Sequence, residues 1–309
     1  MQLDGRASPP DRRGMKHPGL KLREELASEA IIEPFLGVYD CFSARVAGGY
    51  SSNLFLSGFG FSASFYGLPD VGYVAWTDMI AAAWRIRQIL PLHKLLVDID
   101  DGYTDVHTAC HVAGQLDRMG VAMVMLEDQA RPRRCGHAAG KRVLPLEDYL
   151  EKLNAVLSTR DQMCVLARTD ASGEDIFRRI EAMSKTAADV LMVDGIDSVE
   201  TMRQVVRSTD KPLLFNQIAG GKSPRFSLEE LRELGVRAVQ YSTPLLFSAQ
   251  RAMGDALREL FERDGVLQYD PAKGGIGIAE CNALLGIEPA LPRRNVEESE
   301  ENLANGRHS

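Results

Sequence analysis

Short apolar runs alternate along this chain with longer stretches of helical periodicity. The runs at 35–39, 54–57, 95–98, 122–127, 164–168, 190–193, 213–216 and 238–241 are rich in Leu, Val, Ile and Met, with few polar interruptions. Strands buried on both faces read this way, whereas strands with one wet face alternate, so the runs predict a parallel sheet covered by helices. The stretches between them have readable ends. Thr77 is expected to cap a helix whose apolar positions include Ile80, Ala83, Trp84 and Ile86. Ser227 and Glu230 have the spacing of a capping box, and Gly120 and Gly235 stand where helices should stop. Eight such alternations predict the α/β class and a closed (β/α)₈ TIM-type barrel. No Gly-rich dinucleotide fingerprint follows the first strand, which argues against an open, doubly wound sheet.

The pattern fades at both ends. Residues 1–19 are polar and rich in Pro and Arg and read as a flexible arm; 293–309, with Glu297, Glu298, Glu300 and Glu301, read as an acidic, disordered tail. Residues 20–292 are then the barrel with its terminal helices, 274–287 forming a C-terminal helical extension. In a chain of 309 residues, 45% hydrophobic and 26% charged, one large core of this kind is easily filled. The net charge of -7 disfavours nucleic acid as a partner. No apolar run approaches the roughly 20 residues of a membrane span, and the N-terminus lacks the apolar centre of a secretory signal. Five scattered cysteines, an odd number, fit reduced thiols rather than a disulfide framework, so a cytoplasmic location is expected.

Chemistry enters with the acids at strand ends, where barrels carry their active sites. The third strand runs Leu95-Leu96-Val97-Asp98-Ile99-Asp100, and alternation puts Asp98 and Asp100 on one face. Glu127 ends the fourth strand, and Asp70 lies in the loop after the second. Carboxylates crowded on one rim repel each other unless a cation compensates, and oxygen ligands without a histidine cluster favour Mg²⁺, with Mn²⁺ as an alternative. Helix capping or pairing with loop arginines is the competing reading for any one of them. After the fourth strand comes Arg133-Arg134-Cys135-Gly136-His137, in which two cations beside a thiol are expected to favour the thiolate. By itself the triplet Cys-Gly-His is compatible with an incidental cysteine. Arg168, at the end of the fifth strand, offers a fork for a substrate carboxylate or for Asp170. Asp194 and Asn216 end the sixth and seventh strands, and Ser57-Gly58 ends the second, where backbone N–H groups can hold a carboxylate. His107 and His111, four apart on an outer helix, and Trp76 and Trp84 are read as surface or packing residues.

Taken in order, Ser57-Gly58, Gly67-Leu68-Pro69-Asp70, Asp98-x-Asp100-x-Gly102, Leu126-Glu127-Asp128-Gln129, Arg134-Cys135-Gly136-His137, Gly140-Lys141 and Ala167-Arg168-Thr169-Asp170 resemble the isocitrate lyase/phosphoenolpyruvate mutase superfamily, in its 2-methylisocitrate lyase-like branch. The resemblance runs over roughly 35–268. It implies a Mg²⁺-dependent carbon–carbon lyase that cleaves a small 2-hydroxy di- or tricarboxylate to an α-keto acid and a carboxylate. It further implies Asp98, Asp100, Glu127 and Asp70 as the metal shell, partly through water, and Arg168, Ser57 and Gly58 as substrate ligands. Cys135 would protonate the departing carbanion, His137 would support its loop, and a homotetramer would exchange terminal helices between subunits.

Three positions depart from the pattern. Arg133 stands where the lyases carry Lys, Asp194 where Glu is common, and Phe59 where methylisocitrate lyases have a small residue, so a divergent substrate is expected at a pocket bounded by these and Asn216. The alternatives are a phosphonomutase of the carboxyphosphonoenolpyruvate type and a catalytically inactive binding or regulatory barrel.

Overall fold

In a computed structural model of the protein, residues 16–28, 31–270 and 274–286 are described. All eight expected runs are strands, with ends shifted by at most two residues: β1 Glu33–Val38, β2 Asn53–Leu56, β3 Lys94–Asp98, β4 Met123–Glu127, β5 Cys164–Thr169, β6 Val190–Val193, β7 Leu214–Asn216 and β8 Ala238–Tyr241. They are parallel and pair in the order β6-β5-β4-β3-β2-β1-β8-β7. A parallel bridge between Leu191 and Leu213 draws β6 and β7 together, which makes the sheet a nearly closed (β/α)₈ barrel. The helices between strands include Trp76–Ile89, Val106–Arg118, Leu146–Thr159, Asp175–Ser184, Val199–Arg207 and Leu228–Glu233.

The continuous apolarity of the strands has a direct structural cause. Successive residues feed two separate cores. Val97, Val124, Leu126, Val165, Ala167, Leu191 and Val193 pack outward against the helices. Phe35, Phe55, Leu96, Met125, Leu166, Met192, Leu214 and Ala238 fill the barrel interior. A one-residue slip of any strand would exchange the two sets, so register is strongly specified.

Two local readings change. Residues 18–19, assigned to the arm, begin a helix, Pro18–Leu26, whose Leu22 and Leu26 are buried in the interior core. Thr77 lies inside the first turn of the helix Trp76–Ile89; Ala75 occupies the N-cap and makes no side-chain cap. The Ser227–Glu230 capping box forms, and Gly120 and Gly235 sit at φ 76° and 94°, a left-handed conformation that glycine adopts at little cost. The chain divides into two compact units, Met1–Ala252, which contains the barrel, and Met253–Ser309. In the second, a helix Ile278–Leu285 forms within the expected extension, and Glu280 accepts a hydrogen bond from Gly277 N at its start. Residues 1–15, Ile287 and the acidic tail lie outside the described residues. Among the described residues no helix is long and apolar enough to cross a membrane.

Candidate active site

The period of two that fills the barrel also builds the site. Two residues beyond the inner apolar layer stand Ser57 after Phe55, Asp98 after Leu96, Glu127 after Met125, Arg168 after Leu166, Asp194 after Met192, Asn216 after Leu214 and Gln240 after Ala238. All seven are buried. A polar layer therefore rests on an apolar floor at the C-terminal ends of the strands. A small cavity of ≈ 30 Å³ opens on it, lined by Phe55, Ser57, Phe59, Asp70, Asp98, Cys135, Gly136, Arg168, Asp194, Asn216, Ile218, Gln240 and Ser242. The outward neighbour of Glu127, Asp128, instead ties β4 to β5 through Thr169 Oγ1 and Asp170 N and pairs with Arg179.

Asp98 and Asp100 lie on one face as alternation requires, but Asp100 gets there through a left-handed turn. Its φ is 51°, followed by Gly102 at 81° and Tyr103 at 67°. Non-glycine residues pay for that conformation in local strain, which is frequent at functional sites. Asp98 Oδ2 and Asp100 Oδ1 both approach Gly58: a Cβ there would sit 3.0 and 3.2 Å from them. The missing side chain leaves a cradle beside two carboxylate oxygens.

The cation that meets these acids belongs to the protein. Arg133, 2% exposed, places Nε 2.9 Å from Glu127 Oε1, Nη1 2.5 Å from Asp70 Oδ1 and Nη2 3.3 Å from Asp100 Oδ1. Burial pushes the Asp98, Asp100 and Glu127 carboxyls up despite this, Glu127 to about 7, with Arg133 opposing the shift in each and Arg168 also in Asp98 and Glu127. Among the described residues no ion pair reaches Asp98, and Glu127 Oε2 is buried without a hydrogen bond. Counted together, Asp70, Asp98, Asp100, Glu127, Asp170 and Asp194 outnumber Arg133, Arg168 and Lys141. The donor chemistry, the cradle and Glu127 Oε2, which has no hydrogen bond and meets Arg168 Nη2 only at 3.3 Å, fit a divalent cation. Arg133 would have to release Asp100 to complete such a shell; as arranged here, no three His, Cys, Asp or Glu among the described residues form a metal cluster.

Arg168 is more heavily paired than its expected role suggests. Nε and Nη2 bind Asp170 at 2.8 and 3.1 Å, and Nη2 also lies 2.7 Å from Asp194 and 3.3 Å from Glu127. Both readings of this residue therefore meet: it pairs Asp170 and it faces the cavity. Burial alone would raise Asp194, but Arg168, His137 and Asn216 outweigh it and hold this carboxylate well below the usual range. His137 Nδ1 accepts from Lys222 N at 3.0 Å, which leaves the ring proton on Nε2, 3.3 Å from Asp194 Oδ1. His137 thereby fastens the loop after β4 to the loop after β7, and Lys222 Nζ adds a bond to Ala138 O.

The glycine of Cys-Gly-His has a steric reason. A Cβ on Gly136 would fall 1.9 Å from Asp194 Oδ2 and 2.6 Å from Arg168 Nη2. Gly136→Ala is expected to destabilise the protein by about 1–3 kcal/mol through overpacking. Thermal denaturation checks this; an unchanged Tm would mean that the loop does not hold this approach.

The expectation of a thiolate at Cys135 is overturned. Arg133 turns its guanidinium to the acids, and Arg134 is exposed, its backbone pinned by Gln129. Burial raises the Cys135 thiol, the His137 backbone N–H lowers it, and Asp70 and Asp194 raise it further, so the neutral thiol is favoured. Ser57 also differs in detail. Its N–H is spent on Val38 O, and its Oγ caps the short helix Gly58–Phe61 by accepting from Gly60 N. The hydroxyl proton is what it has to offer a ligand. Phe59 lines the cavity and meets Phe247 edge-on at 6.1 Å. His107 and His111 are exposed, as is Trp84; Trp76 packs on the core and against the His111 ring. Gln240 and Ser242 are site residues that the acid-centred reading missed. The signal was present: Gln240 is the polar member of an inward-facing pair in an otherwise apolar strand.

Set against known proteins, the chain matches the phosphoenolpyruvate phosphomutase family model over residues 22–261. The chain belongs to this family. Among curated relatives, 2,3-dimethylmalate lyase from Eubacterium barkeri is 29% identical over 93% of this chain and 98% of its own length. The 2-methylisocitrate lyase of Bacillus subtilis is 32% identical over 70% and 73%. Among solved structures, oxaloacetate acetylhydrolase in complex with 3,3-difluorooxalacetate superposes with a TM-score of 0.82 at 29% identity, covering 95% of this chain and 99% of that one. The family member described here stands with the carbon–carbon lyases of the isocitrate lyase/phosphoenolpyruvate mutase superfamily.

Proposed function

We propose that the chain is a Mg²⁺-dependent lyase that cleaves a small 2-hydroxy dicarboxylate to an α-keto acid and a carboxylate. The observation that carries the reading is the closed polar layer in which a neutral thiol, Cys135, shares one cavity with Asp98, Asp194 and Arg168. Within the wider class of di- and tricarboxylates, the small cavity and the bulk of Phe59 favour the smaller acids. Asp98 and Asp100 would hold the cation beside Gly58, with Glu127 and Asp70 completing its shell; Mn²⁺ suits the same oxygens. When bound, the ion supplies positive charge to the oxygens of the keto acid as it forms.

The protein's own groups divide the remaining work. Arg168 uses Nη1, the nitrogen not engaged by Asp170, Asp194 or Glu127, on the substrate carboxylate, and Ser57 donates its hydroxyl proton. The substrate hydroxyl yields its proton to a rim carboxylate, of which Asp98 and Asp70 line the cavity. The C–C electron pair then leaves with the carboxylate-bearing carbon, which takes a proton from Cys135 Sγ. His137, Gly136 and Asp194 hold the loop that delivers the thiol. Five free cysteines support a reducing, cytoplasmic setting. Exposed Leu257, Phe261, Leu267, Ile276 and Ile278 in the second unit support a homotetramer built by exchange of terminal helices.

Incubation with Mg²⁺ and a panel of 2-hydroxy acids, with hydrazone detection of α-keto acid, tests the reading. Keto acid is expected from a C4–C6 hydroxy dicarboxylate, and EDTA is expected to suppress it. Turnover confined to phosphonates by ³¹P NMR would assign the chain to the phosphonomutases. Failure to bind oxalate or pyruvate with Mg²⁺ would leave an inactive barrel.

A further inference from the structure

The turn after β3 holds a tyrosine in an unfavourable place. Tyr103 is 5% exposed and adopts φ 67°, a left-handed conformation that a bulky side chain takes only under constraint. Three neighbours supply the constraint. Asp101 Oδ1 accepts from Tyr103 N at 3.1 Å, Arg131 holds the Asp101 carboxylate oxygens at 2.7 and 2.8 Å, and Lys152 Nζ donates to Asp101 O at 2.7 Å. Strain of this kind persists only where the surroundings over-determine it, and it gathers at functional sites. The side chain adds a second unfavourable feature. Its hydroxyl is buried and has no hydrogen-bond partner among the described residues. Phenylalanine would fill the same space without leaving a donor unused.

The hydroxyl end of the ring lies on the side of the acids. Burial pushes the phenol well above its ordinary range, and the charges that act on it next are Asp100 and then Asp98, both ahead of Asp101 two residues away. Asp100 in turn lacks a donor. Among the described residues its side chain has one partner, Arg133 Nη2, which lies 3.3 Å from Oδ1. Oδ1 is also the oxygen that faces the Gly58 cradle. Once a cation sits there and Arg133 lets go, Oδ2 is left bare. Carboxylates that bind metal ions are themselves held by hydrogen bonds, which fix their orientation. Building on the lyase reading above, we infer that Tyr103 is a positioning residue of the cation site, its hydroxyl donating to Asp100 Oδ2. A neutral donor suits this place, because it orients the carboxylate without opposing the charge of the ion. The phenol stands outside the lining of the cavity, so it leaves the substrate hydroxyl to the rim carboxylates and acts through Asp100.

Calorimetric titration of the full chain with Mg²⁺ alone, together with urea denaturation in EDTA, gives the test. Tyr103→Phe is expected to bind Mg²⁺ about tenfold more weakly than the wild type, the lower end of the usual loss for such partners. In EDTA its urea midpoint should equal or exceed that of the wild type, because an unused buried donor has been removed. A merely structural tyrosine would give the opposite shift in EDTA. With Mg²⁺ saturating, oxalate should bind both proteins equally. An unchanged Mg²⁺ affinity in Tyr103→Phe overturns the inference, and so does a weaker affinity that comes with a lower midpoint in EDTA. Weaker oxalate binding at saturating Mg²⁺ would also overturn it, by placing the hydroxyl on the ligand. A wild-type chain that binds no Mg²⁺ is a different result: it removes the metal-dependent lyase reading and this inference with it.

Discussion

Cys135→Ser is expected to lower kcat by about 10²–10⁴-fold, the usual contribution of a positioned general acid, with KM changed little. The argument rests on the protonation state of the thiol. Burial, with Asp70 and Asp194 nearby, raises its pKa above the ordinary thiol value. A group that must give a proton away is useful only while it holds one, and an upward shift extends that range toward alkaline pH. The alkaline limb of kcat in the wild type should thus fall above the ordinary thiol pKa of about 8.5. Serine has the same shape but is a far weaker acid, so protonation of the departing carbanion should become rate-limiting and the limb should vanish. Steady-state kinetics across pH check both parts. A serine variant with kcat within a fewfold of the wild type would remove Cys135 from the chemistry. A kcat that instead rises with pH through the thiol's titration would mean that the thiol is used as thiolate.

The barrel was legible because one physical rule governs all eight strands. Burial on both faces makes apolar runs continuous, and each of the eight became a strand. Local rules read in isolation fared less evenly. The Ser227–Glu230 box formed because both its partners lie within one turn, whereas Thr77 was displaced from the cap by a helix that starts two residues earlier than its pattern suggests. The helix Pro18–Leu26 was missed because its first residues share the polar, Pro-rich character of the segment ahead; its role comes from Leu22 and Leu26 entering the barrel core, a tertiary contact that no local pattern announces.

The site shows the same division. Alternation alone put Asp98 and Asp100 on one face, and the parity of each strand extends to Glu127, Arg168, Asp194 and Asn216. Parity could equally have indicated Gln240, but a neutral amide attracts less notice than a carboxylate. Direction was not legible at all. Adjacency in Arg133-Arg134-Cys135 suggested two cations acting on a thiol, yet Arg133 turns away from it to Asp70, Asp100 and Glu127. Sequence distance says which groups can meet; burial and charge balance decide which do.

That balance makes Arg133 the residue whose loss should matter most to stability. Removing one partner of a buried ion pair costs about 3–5 kcal/mol, because the remaining charge is left uncompensated. Arg133→Met would strand three carboxylates at once, beside an Asp98 with no ion pair of its own among the described residues. In EDTA the variant should therefore lose about that much stability in urea denaturation, with the cost limited by protonation of Glu127, already near 7. Mg²⁺ should then restore part of it, since a ligand that binds only the folded state stabilises it by mass action. The wild type should gain less from the same concentration, because its own guanidinium must first give up Asp100. Arg133→Lys should fall between the two: an ammonium keeps the charge but lacks the fork that spans three carboxylates. Equal stability of Arg133→Met and wild type in EDTA, with equal responses to Mg²⁺, would show that the arginine neither balances these acids nor competes with a cation for them.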